Sequence, residues 1–511
     1  MPDGHLDGEK EYFRKDRNYL YSRALDIHKW SDYSEVNTFV NEIYNGFFDS
    51  PTRIKKKHLK VVLLDLFVAW FQDPKFHIAV HLSEQAYSNG QVSIKGKNRY
   101  NETHIKRTTI DIVHRLVDVD LIEFKKGFGR PDQPSYNTRI WASSKLIKMF
   151  EDAKFGVFHI HYLGEEKKRE CLILRDENKN DIEYKDTPRI KQMRKVLHDY
   201  NLLLEKTFID IPSLNEAYIN RPPKKLWTRT ADSEWKENVP TRISITHDGK
   251  FTTRIFNNSS WEDGGRFYGG FWQRVGSKYR SQIYLNHKST VEVDYSALHV
   301  VLAYARKNIN YWSNTEADPY SIPIHGINDP EVCRSIAKLF FLMAFNAPTE
   351  TKAFKAFRNE WDYSEFRHNF TDEKLSEILK TIKERHPAIS DLICTGAGVQ
   401  LQYIDSQILE YIVKDFVAAD TPILCVHDSL IVQFGDEDRL EKLMKQAFFE
   451  VTNYENIKIK FNNNLTKKAW GYSKFLDRQY YLDLLKVINN PVSSDGYNRR
   501  MERHYIHFKK G

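Results

Sequence analysis

The stretch Ser289-Thr-Val-Glu-Val-Asp-Tyr-Ser-Ala-Leu-His-Val-Val-Leu-Ala-Tyr-Ala305 reads as a short buried strand that turns straight into an apolar helix. Val291 and Val293 alternate with polar neighbours, which is the period-two pattern of a strand, and Asp294 falls at its end. A carboxylate at a strand end is well placed for a metal. The same residue would also serve as a cap for a helix beginning near Ser296.

A second stretch, Asp420 to Phe434 (DTPILCVHDSLIVQF), is two apolar β segments joined by a tight polar turn containing His427, Asp428 and Ser429. Turns favour Asp in any case. Two separated strand ends that each offer one Asp form a stronger pattern, because two-metal phosphoryl transfer needs fixed carboxylates holding ions about 3.5–4 Å apart. Between the two lies Asp329 to Ala347, a helix with Val332, Ile336, Leu339, Phe340 and Met343 as its expected core stripe. Arg334, Lys338, Leu342 and Asn346 recur every fourth residue and drift only ~40° per step, so they share another face. Two cations one turn apart are commonly a solvated surface, and they are also the arrangement that clamps a triphosphate.

The order Asp294-Tyr-Ser, Arg334-x-x-x-Lys338, Val399-Gln400 with Asp405, and Val426-His427-Asp428 resembles the palm and fingers motifs of family A DNA polymerases over about Gly264 to Tyr472. Asp318-Pro-Tyr320 lies where that family carries Asp-x-His, and Gly264-Gly-Arg266 and Arg280 resemble its template and primer contacts. The resemblance implies an α+β right-hand polymerase with palm, fingers and thumb-like helices. It implies that Asp294 and Asp428 hold two Mg²⁺ ions, with Mn²⁺ accepted, and that Arg334 and Lys338 grip the incoming triphosphate. His427 is expected to position the primer terminus, Gln400 to touch the nascent pair or template, and His299 and Asn346 to line the nucleotide. The implied partners are a DNA template and primer and nucleoside triphosphates.

The chain departs from the family at several positions. His299 stands where the family has Glu, Leu342, Asn346 and Ala347 stand where it has an aromatic and Tyr-Gly, and Ser429 replaces a third acidic residue. His-Asp-Ser resembles the single-subunit RNA polymerases of phages and mitochondria, which belong to the same structural superfamily. Two alternatives therefore stand beside a DNA polymerase: an RNA-synthesising or primase-like enzyme, and a non-catalytic replication initiator built on a decayed palm. No upstream stretch carries the spaced carboxylates of a proofreading exonuclease.

Towards the N-terminus, an apolar helix (Val61 to Phe71), a Gly/Asn-rich break, a helix near Thr103 to Val119 and the segment Leu121 to Ser143 follow one another in the order of a winged helix. Ile105, Thr109, Ile112 and Leu116 form its expected core stripe, with His104, Lys106, Arg107, His114 and Arg115 outside. Lys125, Lys126 and Arg130 sit on the Gly-rich turn of the candidate wing, so Lys106, Arg107, Lys126 and Arg130 join Arg266 and Arg280 as candidate nucleic-acid contacts. The run Arg53 to Lys60 reads as a solvated basic face, Pro188 to Thr207 as an amphipathic packing helix, and the Pro-rich, charged Asn220 to Thr241 as a linker.

The expected division is a helical and winged-helix region (1–150), a helical, thumb-like connector (151–240), palm and fingers (241–485) and a basic tail (486–511). With 41% hydrophobic and 14% aromatic residues among 511, the composition excludes wholesale disorder and a small stapled scaffold. Four widely spaced cysteines give no zinc pattern and read as buried thiols. The longest apolar runs fall short of the ~20 residues a membrane span needs, and the polar, acidic start suits a cytoplasmic protein. The net charge of +8 suits an ordinary basic enzyme as well as a nucleic-acid binder.

Overall fold

The computed structural model describes residues 21–48, 52–83, 99–130, 133–161, 169–221, 227–229, 235–237, 241–360, 370–461 and 492–508. It is a mixed α and β fold of two compact units that alternate along the sequence. One comprises 1–170, 214–249 and 495–511, and the other 171–213 and 250–494. This differs from the four consecutive regions expected, because the chain leaves and re-enters each unit.

In the first unit a sheet runs Ser22–Ala24, His77–Val80, Thr138–Ala142, Ile122–Lys125, with the first pair parallel and the others antiparallel. Helices Ser34–Phe47, Arg53–Gln72, Thr108–Asp118 and Ser144–Glu151 accompany it, with Leu59, Val62, Leu66, Ile78, Ile112, Leu116 and Ile140 in one core. The core stripe Ile105, Thr109, Ile112 and Leu116 is buried as the spacing predicts. The helix begins later than expected, because the Asn101 side chain bonds both the N–H and the C=O of Ile105 and holds that segment in a loop. Strands Phe128–Arg130 and Gln133–Tyr136 form an antiparallel hairpin between the two longer strands.

Three expectations are corrected here. The basic run is not wholly solvated: His58 and Lys60 are buried, and the Lys60 ammonium reaches Ser31 O and Asn37 Oδ1 above the Trp30 ring. Arg115 turns inward, donating from Nε to Phe47 O at 2.6 Å. The segment expected as a linker pairs instead, Tyr218–Arg221 with Thr241–Ser244 and Trp227–Arg229 with Trp235–Glu237. Beyond it, Asp495–Phe508 is a helix that buries Tyr497 and His504, and Arg500 donates to the Leu214 and Asn215 carbonyls. Basic residues in these segments carry long apolar stems, so a charge count does not show which of them pack.

In the second unit, α1 (Pro188–Lys206) buries Ile190, Met193, Leu197, Tyr200, Leu203 and Leu204. Strands β1 (Thr253–Phe256) and β2 (Gly264–Tyr268) pair antiparallel. The short helix α2 (Gly276–Arg280) precedes β3 (Lys288–Tyr295), which turns into α3 (Leu298–Ala305). The chain continues through α4 (Pro330–Asn346) and α5 (Gly398–Ala418) to the hairpin β4 (Ile423–Val426) and β5 (Ser429–Gln433). The principal sheet runs β4, β5, β3, Tyr284–Leu285, Ile209–Asp210, with Ile459–Phe461 also paired to β3. Every pairing in it is antiparallel. All four cysteines are buried and none is in a disulfide, and no described helix is long and apolar enough to cross a membrane.

Candidate active site

Alternation on β3 buries Val291, Val293 and Tyr295 and leaves Glu292 and Asp294 half-buried on the opposite face. Asp294 is not a helix cap. Ala297, left-handed at φ 56°, starts α3 without any side-chain cap. Asp294 instead stands in register with Ser429, the first residue of β5, while Asp428 and left-handed His427 (φ 54°) form the tip between β4 and β5. The antiparallel register therefore brings the two aspartates to neighbouring strands. Neither carboxylate makes a hydrogen bond or ion pair with a described residue. Burial, and then the charge of Asp428, pushes the Asp294 carboxyl up to about 7.

Lys338 is exposed on α4, and its charge acts on Asp294. The expected face Arg334, Lys338, Leu342, Asn346 is the outer one, but the core stripe is rotated from the expected set. Cys333, Ile336, Ala337, Phe340, Phe341, Ala344 and Phe345 are buried, while Val332, Leu339 and Met343 are only partly so, because the aromatic pair Phe340-Phe341 takes the interior. Arg334 is paired with Asp318, Nε to Oδ2 at 2.9 Å, and lies 5.8 Å from the Tyr320 ring. Burial, followed by the charges of Asp428 and Asp318, raises the pKa of the Tyr320 hydroxyl. Sequence reading gave Tyr320 no role.

Gly264 and Gly265 both have positive φ, 82° and 77°, at a bulge where Ile255 pairs with Arg266 and Phe256 with Gly264. A Cβ on Gly265 would lie 2.6 Å from the Phe256 ring and 2.8 Å from Ser406 Oγ, so the bulge that aims Arg266 requires glycine. Arg266 Nε donates to Asp405 Oδ2 at 2.9 Å, and Nη2 lies 2.6 Å from His299 Nε2. A guanidinium only donates, so His299 Nε2 is the acceptor and the ring's proton belongs on Nδ1. Deeper in, Arg254 bonds Glu410, Ser406 and Gly265 O, which ties the same bulge to α5.

The remaining candidates divide. His427 lies beside the Tyr268 ring, centroids 6.1 Å apart, and burial, followed by Arg266, lowers its pKa. Gln400 is exposed on the first turn of α5. Asn346 is engaged, its amide donating to Leu342 O and its Oδ1 accepting from Gln402. Arg280 is also committed, with Nε 2.9 Å from Glu292 Oε2. Glu292 was not foreseen, although its place two residues before Asp294 on one strand face was the available signal. Lys106, Arg107 and Lys126 are exposed in the other unit; the Arg130 side chain lies outside the described set.

Among the described residues no group of three or more His, Cys, Asp or Glu converges as a ready metal cage. The donor set nevertheless fits Mg²⁺. That ion takes one or two carboxylates and fills its other positions from water and phosphate, and the repulsion at Asp294 is what a cation relieves.

No protein-family profile matches the chain, and no curated protein does. Among solved structures it is similar to the POL domain of Pol1 from M. smegmatis, in a complex with DNA primer-template and dNTP. Identity is 12% and the TM-score 0.30, over 84% of this chain and 69% of that one.

Proposed function

We propose that the chain is a template-directed nucleotidyltransferase, an exonuclease-free DNA polymerase of family A type that extends a 3′-OH primer. The supporting observation is that Asp294, in register with Ser429, and Asp428, the tip residue just before Ser429, are neighbours whose carboxylates bond no described residue, with the charge of Lys338 acting on the first. Asp294 and Asp428 would hold the divalent ions, which when bound lower the pKa of the attacking hydroxyl and neutralise charge on the leaving pyrophosphate. The primer 3′-oxygen forms a bond to the α-phosphorus as the bond to the β-phosphate oxygen breaks. Lys338 meets the triphosphate directly, Arg334 does so on release from Asp318, and His427 and Gln400 set the primer terminus and nascent pair. Palm and fingers correspond in this reading to the sheet bearing the aspartates and to α4.

Primer extension on a defined template, with dNTPs or NTPs and with Mg²⁺, Mn²⁺ or EDTA, tests the reading; no incorporation under any condition overturns it. Lys338→Ala should raise the nucleotide KM about tenfold or more while primer-template affinity holds, and Arg334→Ala should act less because Asp318 already occupies it. Steady-state kinetics beside a binding isotherm separate the two.

The RNA-synthesising reading is favoured by one observation, the polar His299 imidazole on the helix that follows Asp294, 2.6 Å from Arg266 Nη2. Wild type should prefer dNTPs, and His299→Ala should narrow that preference; equal use of NTPs by the unmutated protein would reverse the assignment. The helix–strand–hairpin–strand segment from 108 to 142 is read as a winged helix on duplex DNA. Changing Lys106, Arg107, Lys126 and Arg130 together to Ala should then lower the log–log salt slope by about 0.9 for each phosphate the protein no longer neutralises. An unchanged slope would assign that segment to protein contacts.

A further inference from the structure

We infer that Glu292 is a positioning residue of the two-aspartate site, holding the tip that carries Asp428 against the strand that carries Asp294 and drawing off the charge of Arg280. This rests on the nucleotidyl-transfer reading of that site.

Glu292 and Asp294 are two residues apart on the same face of β3. Glu292 Oε1 accepts from Ser429 Oγ at 2.8 Å, and Oε2 accepts from Arg280 Nε at 2.9 Å. Ser429 directly follows Asp428 and is the register partner of Asp294. One carboxylate thus ties α2, the β4–β5 tip and β3 together. The side chain is 11% exposed, and its partner Arg280 18%, so water screens this pair weakly.

Both Glu292 oxygens already accept hydrogen bonds, and among the described residues it forms no three-residue metal cluster with the two aspartates. What it does is electrostatic and geometric. Paired with Glu292, the Arg280 guanidinium has its charge answered before the aspartates are reached. The charges felt most by Asp294 are Asp428, Lys338, Glu292 and Lys460, so Glu292 adds to the negative field in which a cation is bound. Ser429, where a longer acidic side chain would crowd Glu292, is the small hydroxyl that lets this carboxylate approach the tip.

The test uses the full chain and Mn²⁺ alone, with binding followed by electron paramagnetic resonance. Wild type, Glu292→Gln, Ser429→Ala and Asp294→Asn are compared, with thermal melting as a control. Glu292→Gln keeps an acceptor for Ser429 but loses the charge. It should weaken Mn²⁺ binding about tenfold and raise the Mg²⁺ needed for half-maximal primer extension by a similar factor, with nucleotide KM at saturating Mg²⁺ unchanged. Ser429→Ala, which removes the bond to Oε1 without altering charge, should weaken Mn²⁺ about threefold. A purely structural role would lower the melting temperature and leave the metal requirement alone, and that result overturns the inference. If Glu292→Gln does not fold, unchanged Mn²⁺ affinity in Ser429→Ala overturns it equally. Unchanged binding in Asp294→Asn overturns instead the reading of the aspartate site itself.

Discussion

Replacing Asp294 or Asp428 with Asn is expected to cut nucleotide incorporation by about a thousandfold or more, since losing one ligand from a charge-neutralising site costs several kcal/mol in the barrier. The fold should survive, because neither carboxylate bonds a described side chain. Asp294→Asn should in fact melt at a higher temperature than wild type when divalent ions are absent. Burial and Asp428 both work against its charge, and the amide removes that opposition. Loss of activity together with a gain in stability is the signature of a group kept for chemistry and not for packing. The measurements are single-turnover extension and melting in EDTA. Incorporation within about tenfold of wild type in either variant would remove the aspartates from the mechanism.

That pair was the most legible part of the sequence, for a physical reason. Strand alternation in Val291 and Val293 fixes which face Asp294 takes, and the two-residue turn at His427-Asp428 fixes the hairpin register, so local pattern alone sets both carboxylates at neighbouring strand ends. On α4 the spacing of Arg334, Lys338, Leu342 and Asn346 gave the outer face. The inner face slipped because two adjacent phenylalanines leave the stripe undetermined until packing chooses. Partners were not legible. Arg266 and Arg280 read as candidate nucleic-acid contacts, yet Asp405, 139 residues away, holds the first and Glu292 the second. Charge pairing across such separations depends on topology, which no local period encodes. The same holds for Asn220 to Thr241, where proline and charge suggested a linker while the backbone found partners in antiparallel strands.

Removing Arg23 from the first unit is expected to cost about 3–5 kcal/mol, and more than removing its partner Asp65, because the two ends of this ion pair are buried unequally. The Asp65 side chain is 0% exposed and that of Arg23 27%. Asp65 Oδ2 accepts from Arg23 Nη1 at 2.7 Å and from the Asp26 amide at 2.9 Å. Lys29, itself 2% exposed, sits 3.6 Å from Asp26 and 3.5 Å from Asp248. With Arg23→Ala, Asp65 loses its guanidinium partner while Lys29 stays shared between Asp26 and Asp248, and Asp65 has no route to water. With Asp65→Ala, by contrast, the guanidinium at the rim can turn outward, and the cost should be about half as great or less. The sign of the pH dependence follows. Without Arg23, the folded state holds a proton on Asp65 more tightly than the unfolded chain does, so the variant's deficit shrinks as pH falls from neutral towards the carboxylate range. Hydrogen exchange of the amides in Arg53–Gln72, the helix carrying Asp65, reads the first unit without reference to the second. Equal costs for the two variants, or a deficit that grows as pH falls, would mean that water reaches Asp65 and that the cluster does not hold this helix in place.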